Sequence, residues 1–304
     1  MIISASRRTD IPAYYSDWFI NRLQNGYVYV RNPFNFKQVS NVLLTPDLVD
    51  CIVFWTKDAR PMIKSLPLIE KLGYRQYGFQ YTITPYDSSV EPGIDDKFGV
   101  IRSFIELSKM LGPECMVWRY DPIFVDDKFN TAFHLNAFER YCAMLHSYCK
   151  CVVISFIDDY KHIKSKHNSI SGNDFAYLLK KISDLCADYG ITVQSCCENI
   201  SDRYDVQQGA CLDKGFISGI CGYDLQIGVA KNQRSNCLCC ESIDVGAYST
   251  CLCGCTYCYA NRHTPKVEHD STSPLLCSSL APDDNLHTRI VSSNKVYHKQ
   301  FSIF

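Results

Sequence analysis

Short apolar runs alternate with longer amphipathic stretches over the first two thirds of the chain. The apolar runs are typical of strands covered on both faces, and they predict strands at residues 2–6, 51–56, 77–84, 115–120, 151–157 and 191–196. The amphipathic stretches predict helices at residues 13–24, 61–72, 96–111, 132–148 and 174–189. Residues 27–30 and 39–44 predict an inserted hairpin.

Six consecutive βα units favour a parallel sheet and therefore an α/β fold. We expect a (β/α)6-type partial TIM-like barrel with a C-terminal cysteine-rich metal-binding segment, and an open doubly wound sheet is the alternative. The predicted organisation is a barrel-like domain over residues 1–211, a cysteine-rich Fe–S segment over residues 212–262 that closes the barrel mouth, and an extension over residues 263–304. The extension is rich in Ser, Asp, Asn and His, which predicts loop structure.

Polar and charged residues collect where the predicted strands end. They are Arg7, Arg8, Thr9 and Asp10; Trp55, Thr56 and Lys57; Thr82, Thr84 and Tyr86; Arg119, Tyr120 and Asp121; Ser155, Asp158 and Asp159; and Ser195, Glu198 and Asn199. Ligands bind at this end of the strands in parallel barrels. We therefore expect Arg7, Arg8, Lys57, Arg119 and Asp121 to bind substrate or cofactor. Arginine favours a small polar or anionic substrate because it pairs bidentately with carboxylate or phosphate. The alternative is a set of salt bridges that stabilise the barrel.

Composition and charge narrow the classes of function. The chain has 304 residues, of which 46% are hydrophobic, and this is enough for a sizeable core. Its net charge is -1, so neither a nucleic acid nor a membrane surface is an expected partner. No run approaches the roughly 18 apolar residues of a membrane helix, and no signal peptide is evident, so we expect a cytoplasmic protein.

Cysteine is unusually frequent, with 18 residues, and most of them lie between Cys196 and Cys277. A disulfide framework normally belongs to a short secreted chain, whereas this chain is long and shows no export signal. Metal or cluster ligation is therefore the better account of the C-terminal cysteines.

Cys251, Cys255 and Cys258 follow the spacing Cys-x3-Cys-x2-Cys, with Tyr257 before the last cysteine. Three thiolates from one compact loop can hold a four-iron, four-sulfur cluster, and they leave one iron free to bind a small molecule. Cys253 lies inside the motif and has no assigned role. The alternative is a zinc knuckle, because Cys255 and Cys258 also have the spacing of half a zinc site.

A second group of cysteines lies upstream of this motif. Cys196 ends the sixth predicted strand, Cys211 follows it in the chain, and Cys237 and Cys239 form a dense pair. Together they predict a second site with four thiolates, which holds either a second Fe–S cluster or zinc. The alternative is that only some of them bind metal and the others are ordinary thiols.

Several segments are similar to those of a bacterial family, domain of unknown function 1848, and the chain is identified as a member of it. The segments are residues 4–12 (SASRRTDIP), 53–57 (VFWTK), 118–122 (WRYDP), 155–158 (SFID), 231–234 (KNQR) and 251–261 (CLCGCTYCYAN). The resemblance extends over nearly the whole chain, but the family name carries no activity.

The C-terminal cysteine motif resembles that of radical S-adenosylmethionine (SAM) enzymes. The resemblance implies that Cys251, Cys255 and Cys258 hold a [4Fe-4S] cluster whose open iron binds SAM. An electron from a donor such as flavodoxin or ferredoxin then cleaves SAM to a 5′-deoxyadenosyl radical. The side chains expected to contact the cofactor are Tyr257, Tyr81, Ser155 and Asp158. The sequence departs from those enzymes in two respects, because the motif follows all six strands and no Gly-Gly-Glu-like segment follows the second strand.

Two other functions compete with this one. A barrel stabilised by zinc or by an Fe–S cluster accounts for the crowded cysteines as a binding or electron-transfer module without SAM chemistry. A metal-dependent barrel hydrolase is less favoured, because no strand end supplies the cluster of His and carboxylate groups that hydrolytic metals prefer. His134 and His146, for example, are predicted to lie on solvated helix faces.

Overall fold

The computed structural model describes residues 1–157, 163, 170–196, 200, 204–231, 233, 237–261 and 268–296. Eight strands of these residues form one sheet, and they are β1 (Ile2–Ala5), β4 (Cys51–Thr56), β5 (Tyr77–Thr82), β6 (Met116–Ile123), β7 (Cys151–Phe156), β8 (Thr192–Cys196), β9 (Gln207–Gly209) and β10 (Ile243–Asp244). Their order is β10-β1-β4-β5-β6-β7-β8-β9, and every neighbouring pair is parallel. The carboxyl ends of all these strands therefore lie at the same end of the sheet.

The α/β fold and the parallel sheet predicted from the sequence are confirmed. All six predicted strands are present, and the short strands β9 and β10 extend the sheet at its two edges. The last of these strands in the chain, β10, lies beside the first, β1. Within the described residues no pairing joins β9 to β10, so the sheet is open between them.

Helices lie between the strands, as the amphipathic pattern predicts. They are α1 (Ile11–Tyr14), α2 (Ser16–Asn25), α3 (Arg60–Ile63), α4 (Leu66–Lys71), α5 (Lys97–Leu111), α6 (Thr131–Leu145), α7 (Gly172–Tyr189) and α8 (Lys214–Cys221), with a 3-10 helix at Pro113–Cys115. The helices predicted over residues 13–24 and 61–72 are each divided into two. None of the helices in the described part of the chain combines the length and the apolar character that a membrane span needs.

The two faces of the sheet pack against different elements, because strand side chains alternate between faces. Phe54 and Trp118 belong to the main core, which includes the buried side chains of α2, α5, α6 and α7. Val53, the neighbour of Phe54, belongs to a second core on the other face, together with Ile2 and with Ile217 of α8. The opposite face of the sheet is therefore covered separately, by α8 and the chain around it.

α8 lies close against this second face. At Gly78 of β5, an added Cβ would lie 2.5 Å from Ile220 Cδ1 and 3.0 Å from Phe216 Cζ, so a side chain there would displace the helix. Gly78 is near the amino end of its strand. The carboxyl ends of the strands on this face are thus left available for a cavity.

A three-stranded sheet joins the hairpin to the C-terminal tail. β2 (Tyr27–Asn32) and β3 (Asn35–Leu43) form the predicted antiparallel hairpin, and β11 (Asn285–Thr288) pairs with β3 in parallel. The tail, predicted as loop, therefore contains a strand, which is too short to give a periodic pattern. It also contacts α2, because the Trp18 indole N–H donates to the Ser273 carbonyl oxygen at 2.8 Å. The segment boundaries expected near residues 212 and 263 stay predictions.

Candidate functional site

A cavity of about 790 Å³ opens at the carboxyl end of the parallel sheet. Its size is typical of small-molecule sites, which measure roughly 300–1,000 Å³. The predicted site residues that line it are Arg7, Arg8, Lys57, Arg119, Asp121, Ser155, Tyr257, Cys196, Cys211, Cys237, Cys239, Cys251, Cys255 and Cys258. One cavity therefore brings together the charged strand ends and both cysteine groups.

Tyr81 does not line the cavity, contrary to its prediction as a cofactor contact. Its side chain lies on the opposite face of β5, where the hydroxyl contacts Ser103 Oγ at 2.6 Å and accepts a hydrogen bond from the Ala59 N–H at 3.1 Å. Its ring packs edge-on against Phe104. Strand alternation explains the difference, since neighbouring residues of one strand face opposite sides. Asp158, the other exception, lies outside the described residues.

The cysteine loop, residues 251–258, lies on the connection between β5 and α5. The Gly93 N–H donates to the Cys253 carbonyl oxygen at 2.9 Å, and the Thr256 N–H donates to the Val90 carbonyl oxygen at 2.9 Å. A Cβ at position 93 would lie 2.7 Å from the same Cys253 oxygen, so only glycine allows this approach. These backbone contacts hold the motif at the cavity wall.

The thiols of the cysteine loop lie together. Cys253 contacts both Cys251 and Cys255, and these contacts raise the pKa of Cys253, with burial adding to the shift. The Cys253 contact lowers the pKa of Cys255, and the nearby Lys57 ammonium adds to this shift while burial opposes it. Burial raises the pKa of Cys258 to about 12. The loop therefore presents a group of thiols shielded from solvent, in which the pKa of Cys255 is lowered and those of Cys253 and Cys258 are raised.

Glu91 lies beneath the cysteine loop and was not predicted, because a single carboxylate in a loop gives no sequence signal. Its buried carboxylate accepts a hydrogen bond from Lys57 Nζ at 2.8 Å and also binds Lys97 Nζ and the Tyr257 hydroxyl. Burial favours the neutral acid, but the two ammonium groups outweigh burial and lower the pKa of Glu91 to about 2. Burial also opposes the charge on Lys57, yet Glu91 and Cys255 raise the pKa of Lys57. This network fixes a positive charge beside Cys255.

Asp244, at the end of β10, organises the end of β1. Its carboxylate accepts hydrogen bonds from Ser4 Oγ at 3.0 Å, Ser6 Oγ at 2.5 Å and the Arg7 backbone N–H at 2.8 Å. Burial lowers the pKa of the Arg7 guanidinium, but Asp244, acting together with Tyr259, Cys239 and Cys211, outweighs burial and the pKa is raised. Sequence reasoning missed Asp244 because β10 has only two residues, which is too short for a recognisable strand pattern.

Arg119 projects from β6 into the cavity and is paired there. It forms an ion pair with Asp121, and its Nη1 donates to Gln80 Oε1 at 3.3 Å. Asp121 also accepts a hydrogen bond from the Ser155 hydroxyl. The Arg119 guanidinium lies 5.3 Å from the centroid of the Trp55 ring. The sequence correctly predicts that these strand-end residues converge. The ion pair between Arg119 and Asp121 is one salt bridge of the kind that the alternative interpretation expected.

The second cysteine group lies on another part of the cavity wall. Cys196 Sγ and Cys211 Sγ are 2.8 Å apart, and Cys211 also contacts Cys239 and the Arg119 guanidinium. The two thiol contacts lower the pKa of Cys211 well below its usual value, and Arg119 adds to the shift while burial opposes it. In the described part of the chain, no three His, Cys, Asp or Glu side chains stand in an arrangement that could hold a metal ion. Both metal sites therefore stay predictions.

Asp10 is the N-cap of α1 and also lines the cavity. Its carboxylate accepts hydrogen bonds from the Ala13 N–H at 3.0 Å and the Lys57 N–H at 2.7 Å. Burial outweighs these bonds and raises the pKa of Asp10 to about 7. This group can therefore give or take a proton near neutral pH.

The prediction for His134 is wrong, whereas His146 is exposed as predicted. His134 is fully buried, with Nδ1 2.8 Å from the Tyr120 hydroxyl and Nε2 2.8 Å from the Phe124 carbonyl oxygen. Burial lowers the pKa of His134, so the ring is neutral in the core. Its two hydrogen bonds make it a satisfied structural residue of α6.

The fold and the site together define an α/β protein with a cysteine-lined cavity at the carboxyl end of a parallel sheet. The chain belongs to the family described as Domain of unknown function (DUF1848), whose model matches residues 2–260. The membership predicted from the sequence is thus confirmed, and the matched range contains both cysteine groups. No curated protein and no solved structure matches the chain.

Proposed function

We propose that this protein is an iron–sulfur enzyme of radical SAM type that acts on a small polar substrate in the cytoplasm. The observation that carries the proposal is that Cys251, Cys255 and Cys258 line the same cavity as the charged strand ends. Their spacing is that of a three-thiolate cluster motif. Strand order supports a partial TIM-like barrel, since β10 lies beside β1 as the last strand of a barrel would.

The donor set fits a [4Fe-4S] cluster in its chemistry. Soft, buried thiols from one loop are the ligands that such clusters take. The contact with Cys253 and the Lys57 ammonium both lower the pKa of Cys255 and so favour the thiolate, which is the ligating form of the side chain. With SAM bound, a cluster of this type supplies a one-electron cleavage that starts radical chemistry, and flavodoxin or ferredoxin would provide the electron.

Side chains of this chain would bind and enclose the small molecules. Tyr257 is buried against Tyr86 and donates to Glu91, so it closes the wall next to the motif. Asp121 and Ser155 present oxygen atoms to polar groups in the cavity. Asp10 is placed to exchange a proton with a bound ligand. The expected ligand is therefore polar and small enough for a cavity of about 790 Å³.

The second cysteine group supports a further part of the proposal. Cys196, Cys211, Cys237 and Cys239 would hold a second Fe–S cluster or zinc, and the contact between Cys196 and Cys211 favours a shared site. A site closed by four thiolates transfers electrons or stabilises the fold. This contact therefore also favours a second candidate function, a binding or electron-transfer module without SAM chemistry.

The test is electron paramagnetic resonance spectroscopy of anoxically purified, dithionite-reduced protein, with and without SAM. We expect a cluster signal that changes shape when SAM is added and that is lost in Cys255→Ala. The matched control is Cys115→Ala, because Cys115 is only partly buried and does not line the cavity. Cys115→Ala should keep the signal and its response.

Three results would redirect the proposal. A cluster signal that ignores SAM would leave the electron-transfer module as the function. Zinc in place of iron, with no paramagnetic signal after anoxic iron–sulfur reconstitution, would exclude radical chemistry. A signal that survives in Cys255→Ala but disappears in Cys211→Ala would assign the cluster to the second cysteine group.

A further inference from the structure

Two arginines at the end of β1 share one carboxylate. Arg7 Nε lies 3.8 Å and Arg8 Nε 3.9 Å from the carboxylate of Asp244. Both distances are longer than a hydrogen bond, because Asp244 already accepts hydrogen bonds from the Ser6 hydroxyl and from the backbone N–H groups of Arg7 and Gly246. Asp244 therefore holds the two guanidinium groups by charge and leaves their N–H groups for other acceptors.

This arrangement leaves an excess of positive charge, with two guanidinium groups to one carboxylate. Within the described residues, the terminal nitrogens of Arg7 donate no hydrogen bond, and Arg8 Nη1 makes a long contact of 3.4 Å with the Gly246 carbonyl oxygen. The side chains of Arg7 and Arg8 are each 21% exposed, whereas that of Arg119 is 6% exposed and paired with Asp121. Among the described residues, the available guanidinium donors in the cavity thus belong to Arg7 and Arg8.

Trp55 forms the adjoining wall. The Arg7 guanidinium carbon lies 6.0 Å from the centroid of its ring. The Trp55 indole nitrogen is buried and has no hydrogen-bond partner in the part of the chain that the structure describes. Trp18 and Trp118, in contrast, donate to backbone carbonyl oxygens. Trp55 therefore supplies an aromatic surface and a spare N–H donor beside Arg7, and its fluorescence should respond to ligands there.

We infer that Arg7 and Arg8 form an oxyanion-binding site in the cavity, which takes the carboxylate or phosphate group of a small ligand, with Asp244 as the positioning residue. A guanidinium fork with unpaired N–H groups matches such an anion, because two parallel N–H···O bonds can form. Asp244 pairs with both arginines, and a single carboxylate cannot neutralise two guanidinium groups. This inference names the class of ligand that the cavity of the proposed enzyme takes, and in that respect it rests on the proposed function. The anion site itself requires neither a cluster nor SAM.

The experiment is calorimetric titration of the full chain, purified without added SAM, with inorganic phosphate and separately with succinate at constant ionic strength. Trp55 fluorescence is recorded in parallel. We expect saturable binding of at least one of the two anions, and the stronger one identifies the oxyanion. Arg7→Gln should weaken binding roughly tenfold or more, as the loss of charge-assisted hydrogen bonds implies. Arg75→Gln is the matched control, because Arg75 is exposed and does not line the cavity.

The inference is overturned if neither anion binds, if Arg7→Gln binds as tightly as the parent, or if Arg75→Gln weakens binding equally. Should Arg7→Gln fail to fold, Arg7→Lys keeps the charge but lacks the fork, and unchanged affinity in that variant would also overturn the assignment. Iron content and the response to SAM are measured on the same preparation. Anion binding by protein that takes up no cluster after anoxic reconstitution would refute the proposed function and leave this site standing. A SAM-responsive cluster without anion binding would do the reverse.

Discussion

Lys57 and Glu91 form a buried ion pair with an Nζ–Oε1 distance of 2.8 Å, although they come from different connections of the sheet. Glu91 has no exposed side-chain surface, and Lys57 has 14%. The Tyr257 hydroxyl donates to the same carboxylate, so the pair ties the cysteine loop to the ends of β4 and β5. The cavity wall therefore includes a charge network centred on Glu91 and Lys57, and Cys255 interacts electrostatically with its lysine.

Replacing Glu91 by glutamine should strongly destabilise the protein. The variant leaves the ammonium groups of Lys57 and Lys97 buried without a countercharge, and breaking a buried pair in this way costs about 3–5 kcal/mol. Urea denaturation measures the free energy of unfolding. The control is Asp58→Asn, which breaks a partly exposed pair with Arg60 and should cost less than about 1 kcal/mol. Equal losses of unfolding free energy in both variants would show that the ion pairs of Glu91 contribute no more to stability than a partly exposed pair.

Acid should lower the free energy of unfolding by protonating the carboxylate of Glu91. The folded-state pKa of Glu91, about 2, lies below the ordinary value of 4.5, so the unfolded state binds more protons between these two pH values. The free energy of unfolding therefore falls as the pH drops from 4.5 towards 2. Denaturation curves at several pH values should show this slope in the parent and a shallower one in Glu91→Gln. Parallel slopes in the two proteins would contradict the assignment.

The sequence predicts the βα framework because buried parallel strands are continuous apolar runs, as in residues 51–56 and 151–156. It also predicts that strand-end side chains such as Arg7, Lys57 and Arg119 meet at one cavity, since all carboxyl ends lie together. It does not predict that Tyr86, Tyr120 and Ser195, which were grouped with them, are buried outside the cavity lining. It does not predict Glu91, whose partners Lys57 and Tyr257 are 34 and 166 residues away. Nor does it predict Asp244, because the Ser6–Asp244 hydrogen bond spans 238 residues. The strands β9 and β10 are likewise too short for periodicity, so only tertiary packing determines them.

Asp10 should make the stability of the protein depend on pH between about 4 and 7. The direction is opposite to that of Glu91, because the pKa of Asp10 is raised on folding whereas that of Glu91 is lowered. Its folded-state pKa of about 7 lies above the ordinary value of 3.8, so the folded state binds more protons between these values. The free energy of unfolding therefore falls as the pH rises from 3.8 to 7, by at most about 1.4 kcal/mol per pH unit. Asp10→Asn keeps an oxygen acceptor for the Ala13 N–H and should lack this slope. The pH dependence of the difference between parent and variant is the measurement, and a constant difference would refute it.

Gly93→Ala should displace the cysteine loop. The new Cβ would lie 2.7 Å from the Cys253 carbonyl oxygen and 2.8 Å from its Cα, and backbone atoms cannot rotate away as a side chain can. Overpacking of this kind costs about 1–3 kcal/mol. Thermal unfolding measures the loss, and alkylation mapped by mass spectrometry should show faster labelling of Cys253. Gly219→Ala is the control, because no atom beyond its chain neighbours and the nearby backbone of its own helix lies within 4 Å of the added Cβ. If Gly93→Ala matched that control, the contact would not hold the loop.

Asp121→Asn should separate the structural role of Arg119 from a ligand-binding role. Arg119 is 6% exposed, and without Asp121 its charge keeps the thiols of Cys211 and Cys196 as partners among the described residues. Losing a hydrogen bond to a charged group costs about 1.5–3 kcal/mol, so the free energy of unfolding should fall by that amount. In a double-mutant cycle with Arg119→Met, most of this loss should appear as coupling energy, because each single variant breaks the same pair.

Asp184→Asn, which breaks an exposed pair with Lys180, should change the stability by less than about 1 kcal/mol. If Asp121→Asn were as stable as the parent, the thiolate of Cys211 would be the countercharge that matters, and the second cysteine group would be coupled electrostatically to the ligand cavity.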